Sequence, residues 1–144
     1  MTTLVFVFGT LKEGFPNFAT NRGRRIPGEY KTETFFPLYL VGERHSPWMV
    51  DSPGQGFQVH GQVFEVEDAA LKQMDMLERV HEPDGYVRKV VKVVEASASN
   101  EQEKPIEVHA YLKRSDALTH EIVRTGPLKE YVLEHAKLYR SRAA

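Results

Sequence analysis

Glu78 is an acidic residue on what should be an apolar face. The pattern predicts a helix from Glu67-Asp68 to Leu77 or Glu78. With Leu71 set at 0° and about 100° per residue, Met74 falls near 300°, Ala70 near 260° and Leu77 near 240°. Glu78 falls near 340°, between Leu71 and Met74, and Asp75, near 40°, borders the same stripe. Lys72, Gln73 and Met76 point elsewhere. An unpaired carboxylate turned toward a core costs several kcal/mol. At the last helical turn the dipole disfavours it by a further ~0.3–1 kcal/mol. Both effects raise its pKa toward the range where one carboxyl group takes and returns protons at neutral pH. The alternative is a helix-end glutamate that frays into solvent or pairs with Arg79, Arg88 or Arg22.

The second stretch with chemical potential is Gly9-Thr10-Leu11, which ends the apolar run Leu4-Val5-Phe6-Val7-Phe8. Such a run reads as a strand buried on both faces. A glycine at its end lets the chain turn sharply and lets another group approach the main chain. Successive N–H groups in such a turn can converge on an anion or a developing oxyanion. The alternative is an ordinary Gly-terminated core strand.

Other candidates are weaker. His45, His60, His81, His109, His120 and His135 show no metal-ligand spacing such as H-E-x-x-H, so they read as surface or strand histidines and no metal is expected. Ser46 and Ser52 lack a G-x-S-x-G context. Gly9 to Gly14 is neither G-x-G-x-x-G nor a Walker loop. Trp48 suits a pocket wall or a core rim equally. Arg22, Arg24 and Arg25 read as a solvated basic cluster, though one could meet a substrate carboxylate.

The elements that must position Glu78 and Gly9 follow from periodicity. Asn17 can cap a short helical turn carrying Phe18 inward, and Gly23 to Pro27 reads as a surface connection. Strands are predicted at Tyr30 to Phe36, Leu38 to Val41, Pro47 to Val50 and Val59 to Val66, the last with Gly61 marking a bend or close backbone packing. After the helix, Pro83-Asp84-Gly85 turns into a strand from Tyr86 to Glu95. Ala96 to Pro105 reads as an exposed hairpin tip. Ile106 to Lys113 alternates strictly, with Ile106, Val108, Ala110 and Leu112 on one side and Glu107, His109, Tyr111 and Lys113 on the other. A last helix is expected from Thr125-Gly126-Pro127, with Leu128, Tyr131, Val132, Ala136 and Tyr139 as its stripe, before a frayed tail from Ser141 to Ala144. Strands interrupted by two helices imply a curled, largely antiparallel sheet or small barrel with helices packed on it.

The chain has 144 residues, enough for a single domain over 1–144. Hydrophobic residues make up 41% and charged residues 27%, the balance of a globular protein. A net charge of −1 gives no electrostatic case for nucleic acid or a membrane surface as partner. Absence of cysteine excludes disulfides, thiolate metal sites and a cysteine nucleophile, and fits a reducing compartment. The N-terminal apolar run is too short for a signal peptide or a span, so the cytoplasm is the expected location.

Several stretches together carry a family resemblance. Phe6-Val7-Phe8-Gly9-Thr10-Leu11-Lys12-x-Gly14-x-x-Asn17 resembles the YGTLK-x-G-x-x-N opening of the γ-glutamylcyclotransferase-like (AIG2-like) superfamily. His60-Gly61-Gln62-Val63-Phe64-Glu65-Val66 is similar to its G-x-V-Y-E-V strand, and Met74-Asp75-Met76-Leu77-Glu78 with Tyr86-x-Arg88 to its L-D-x-L-E…Y-x-R segment. Phe36-Pro37-Leu38, Gly42-Glu43, Pro47-Trp48 and Pro53-Gly54-x-Gly56 look most like the γ-glutamylamine cyclotransferase branch. The resemblance spans roughly residues 4–93, in matching order.

It implies an α+β fold: a small mixed, largely antiparallel β-barrel of about six strands with flanking helices. It also implies one cofactor-free reaction, in which the α-amine of a γ-glutamyl group attacks its own γ-carbonyl and releases 5-oxoproline and a free amine. The family's catalytic glutamate maps onto Glu78, and its substrate-binding loop onto Phe8, Gly9, Thr10 and Leu11. The partner would be a small γ-glutamyl molecule such as γ-glutamyl-ε-lysine, the protein itself a monomer or weak dimer. Two departures stand out. Phe8 replaces the family's tyrosine, and Arg124-Thr125-Gly126-Pro127 replaces its common S-G-D-W. The first of these motivates a second reading, a catalytically silent binding module of the same fold. A third is an adaptor that uses the barrel exterior.

Overall fold

The computed structural model describes residues 1–97 and 104–141. Most of the predicted hairpin tip, at 98–103, and the tail at 142–144 lie outside the described residues. Among the described residues nine strands form two sheets: β1 (Thr2–Val7), β2 (Arg24–Arg25), β3 (Tyr30–Phe36), β4 (Leu38–Val41), β5 (Ser46–Met49), β6 (Phe57–Glu67), β7 (Val87–Glu95), β8 (Ile106–Leu112) and β9 (Val123–Thr125). In the larger sheet β1, β8, β7, β3 and β6 pair in turn, and β6 pairs again with β1, so the sheet closes on itself. Every ring pairing is antiparallel except β1 with β8, and the short β2 pairs antiparallel with β6 opposite Glu65 and Phe64. The smaller sheet, β5-β4-β9, joins the larger through a bridge between Val50 and Lys113.

Strand β1 is buried on both faces, as its composition predicts. Phe6 and Phe8 enter the barrel interior with Val59, Val63, Val108, Ala110 and Leu112. Val5 and Val7 turn outward against Phe64, Val66, Leu71 and Met74. The latter pair comes from α1 (Asp68–Leu77), which lays its apolar stripe across the barrel wall. Burying each of those two side chains contributes roughly 1.5–3 kcal/mol. Gly61 permits a close approach of β6 to β1: a Cβ there would lie 2.4 Å from the carbonyl oxygen of Val7 and 2.8 Å from Phe6.

Three local expectations are corrected. Asn17 precedes a 3-10 turn (Phe18–Thr20) but its side chain does not cap it, being held by Thr10 instead. The stretch from Gly23 to Pro27 is more than a connection, since Arg24 and Arg25 pair with Glu65 and Phe64. The last helix, α2, covers only Leu133–Ala136. Residues 126–132 run instead as an irregular strap. Gly126 has a φ of 126°, which no helix continues through, and its bond to Pro127 is cis. The strap satisfies its backbone across the sheets: the Leu128 N–H donates to Leu38 at 2.8 Å, and Lys129 accepts from the His60 N–H at 2.8 Å. Tyr131, on the predicted helical stripe, is buried from the strap, with its ring centroid 5.8 Å from that of Phe15.

Candidate active site

The backbone around Glu78 is fixed from three sides. Its N–H closes the last helical turn on Met74 at 2.9 Å, and its carbonyl accepts from the Tyr86 N–H at 3.0 Å. Arg79 then reverses the chain in the left-handed region at φ 55°, a conformation that costs a non-glycine residue about 1–2 kcal/mol. Gly85 packs on this reversal so closely that any Cβ would collide with the Arg79 carbonyl. The Glu78 side chain is half-buried, beside the fully buried Met74 and nearly buried Leu71. Arg79 pairs with Asp84 at 3.0 Å and Arg88 with Asp75 at 3.0 Å, while Arg22 is exposed.

The turn after β1 is held by its carbonyls. Gly9 accepts from the Lys12 N–H at 3.1 Å, Thr10 from the Asn17 N–H at 2.8 Å, and Leu11 from Asn21 Nδ2 at 3.0 Å. Asn17 Nδ2 also donates to Thr10 Oγ1 at 2.8 Å. With the carbonyls engaged, none of the Gly9, Thr10 and Leu11 amides donates to a backbone carbonyl in the hydrogen bonds of the described residues. That is the arrangement an anion-holding turn requires. Gly9 itself leans on the smaller sheet: a Cβ there would sit 2.8 Å from Pro47 Cγ.

Phe8, Gly9, Thr10, Leu11 and Glu78 all line one cleft of about 960 Å³, between the barrel rim and the smaller sheet. Its size suits a small molecule. The cleft also holds residues that the sequence did not single out. Tyr111, on β8, donates its hydroxyl to Asp75 at 2.7 Å, and Asp75 also accepts from Arg88 Nε at 3.0 Å. Burial, followed by this bond to Asp75, pushes the Tyr111 phenol far above its ordinary range, so it stays a proton donor. Arg88 extends the chain to His109 Nδ1 at 2.9 Å. Burial first, and then that guanidinium, lowers the pKa of His109. Lys113 stands against Trp48 and Tyr86, its Nζ 4.3 and 4.5 Å from their ring centroids. The signal for both was available. The alternation that puts Val108, Ala110 and Leu112 inside the barrel puts Tyr111 under α1 and Lys113 on the cleft side.

Among the described residues no group of three or more His, Asp or Glu side chains is arranged to hold a metal ion. No helix there is long and apolar enough to cross a membrane.

A family model described as gamma-glutamyl cyclotransferase, AIG2-like, matches residues 5–132. The human protein named gamma-glutamylaminecyclotransferase is 35% identical over 109 residues, which cover 71% of this chain and 70% of that protein. Its rat namesake is 36% identical over 99 residues, 62% of each chain. A crystal structure of a mouse AIG2-like protein superposes with a TM-score of 0.75 over 99% of this chain and 97% of that one, at 24% identity, a likeness of fold.

Proposed function

The chain belongs to the gamma-glutamyl cyclotransferase, AIG2-like family, and from that premise we propose that it cyclises γ-glutamyl amines to 5-oxoproline. One observation carries the reading: Glu78 and the Gly9-Thr10-Leu11 turn, far apart in sequence, line the same cleft. In the reaction Glu78 takes a proton from the substrate's α-ammonium. The freed amine attacks the γ-carbonyl carbon, forming the ring C–N bond. The γ-carbon then parts from the leaving nitrogen, to which Glu78 returns the proton, and the second proton of the attacking nitrogen passes by way of the same carboxylate to the freed amine, which departs as an ammonium. Because attack is intramolecular, the protein has only to fold the glutamyl chain and stabilise charge. The Gly9, Thr10 and Leu11 amides suit either the oxyanion or the α-carboxylate.

The preference for a γ-glutamyl amine over other γ-glutamyl compounds rests on the names of the human and rat relatives, which match part of their length. Phe8 is buried against the barrel core and offers the cleft a ring without a hydroxyl, so proton transfer falls to Glu78. The test is incubation of the purified chain with γ-glutamyl-ε-lysine, γ-glutamylbutylamine and γ-glutamyl dipeptides, with 5-oxoproline measured over time. Release from the amines is the expected result. No product from any of them contradicts the reading, and tight ligand binding without product would favour the silent binding module instead.

A further inference from the structure

Four cationic side chains line the cleft: Arg44, Arg79, Lys113 and Arg114. Three stand at its margin in local contacts. Arg79 pairs with Asp84, Arg114 is exposed and pairs with Asp116, and Arg44 donates to the Arg140 carbonyl and the Tyr139 hydroxyl. Lys113 is different, being 6% exposed. Lysine is seldom buried so deeply without a specific reason.

Its placement is fixed from backbone to tip. The main chain of Lys113 is clamped at the junction of the two sheets: its N–H donates to Met49 at 2.9 Å and its carbonyl accepts from Asp51 at 2.8 Å. Farther along, Nζ donates to the Asp84 carbonyl at 2.6 Å and lies over the faces of both Trp48 and Tyr86. The same contacts tie it to the reacting end of the cleft. The Tyr86 hydroxyl donates to Pro47, the residue on which Gly9 packs, and the Tyr86 N–H donates to the Glu78 carbonyl. A rigid cation is thus built into the wall that also carries the turn and the carboxylate. An ammonium held in a partly desolvated cleft is a recognition group for carboxylate, worth more there than on the surface.

We propose that Lys113 is a specificity-determining residue that binds a carboxylate of the substrate, either on the glutamyl α-carbon or on the departing amine. The inference rests on the cyclotransferase reading of the cleft. It is separate from the role of Glu78, since Lys113 moves no proton in the reaction.

The test compares wild type with Lys113→Met, which keeps the apolar stem over the two rings, and Lys113→Arg, which restores charge. Circular dichroism and thermal melts establish that each variant folds. Three substrates separate the two carboxylates: γ-glutamyl-ε-lysine has both, γ-glutamylbutylamine lacks the one on the leaving amine, and a 4-aminobutanoyl amide lacks the one on the α-carbon. The expected result is a KM for γ-glutamyl-ε-lysine raised about 10- to 100-fold in Lys113→Met with kcat little changed, partly recovered in Lys113→Arg. If the defect vanishes on γ-glutamylbutylamine, Lys113 holds the carboxylate of the leaving amine. If it persists there and vanishes on the aminobutanoyl amide, Lys113 holds the α-carboxylate. An unchanged KM on every substrate, or a fall in kcat alone, overturns the proposal. Should wild type cyclise nothing, the cyclotransferase reading fails by itself. Lys113 is then judged by 5-oxoproline and free lysine as probes for the two carboxylates in thermal-shift titrations, where loss of stabilisation by either in Lys113→Met supports it and equal or absent stabilisation by both overturns it.

Discussion

Gly9 has no side chain, and its neighbours show why it must not. A Cβ there would press on Pro47 Cγ at 2.8 Å, and a proline ring has little freedom to withdraw. Gly9→Ala is therefore expected to shift the turn relative to the smaller sheet and lower kcat/KM by about tenfold to a hundredfold, because small misplacements of reacting groups are costly. Steady-state assays with thermal melts check that activity falls much further than stability. Tyr111 allows a prediction with a definite sign. Its phenol is held protonated in the fold, whereas in the unfolded chain it ionises near its ordinary value of 10.0. Above that pH the folded state binds more protons than the unfolded one, so stability falls as pH rises. Tyr111→Phe, with nothing to ionise, should flatten the fall between about pH 9 and 11 while losing ~0.5–1.5 kcal/mol at neutral pH with the bond to Asp75. Urea midpoints at a series of pH values measure both, and an unaltered alkaline slope contradicts the assignment.

At the scale of elements, α1 and its surroundings carry the site. Asp75, one turn before Glu78, binds Arg88 of β7 and Tyr111 of β8, so the helix end is tied to two neighbouring strands. Arg88→Met leaves Asp75 half-buried with one partner fewer. It should cost ~1–3 kcal/mol by urea unfolding, and it should lower kcat more than it raises KM if the tie holds Glu78 in place. The orientation of this helix was legible in the sequence because Leu71, Met74 and Glu78 share one stripe at the helical period, and only the helical conformation makes that stripe. The last helix was not legible for a related reason. Leu128, Tyr131, Val132, Ala136 and Tyr139 fit helical spacing, but the strap buries Tyr131 while hydrogen-bonding to residues of β4 and β6. Spacing records which residues are apolar and is silent on whether their backbone bonds close locally or across a sheet. Lys113 illustrates the same limit. Two-residue alternation places it opposite Leu112, and only the smaller sheet, which packs over that side, makes it a buried residue.

For the whole molecule, the closed sheet explains how distant segments come to share a cleft. Strand β1 pairs with β6 and β8, so the turn that ends it is delivered beside the strand carrying Tyr111, while β6 leads directly into the helix that ends at Glu78. The strap from Gly126 to Val132 crosses both sheets, and Tyr131 near its end is fully buried. Tyr131→Ala should therefore destabilise the entire fold by ~3–5 kcal/mol, seen as a lower urea midpoint with an unchanged slope, and a loss confined to the C-terminal segment would contradict that. The account as a whole turns on Glu78 moving protons in the cleft that the Gly9 turn lines. The most direct measurement is 5-oxoproline release from γ-glutamyl-ε-lysine by wild type, Glu78→Gln and Glu78→Asp at matched protein concentration, with thermal-shift binding of 5-oxoproline alongside. The account predicts that Glu78→Gln loses about 10²–10⁴-fold in kcat yet still binds the product, and that Glu78→Asp retains partial turnover. Full turnover by Glu78→Gln would contradict it.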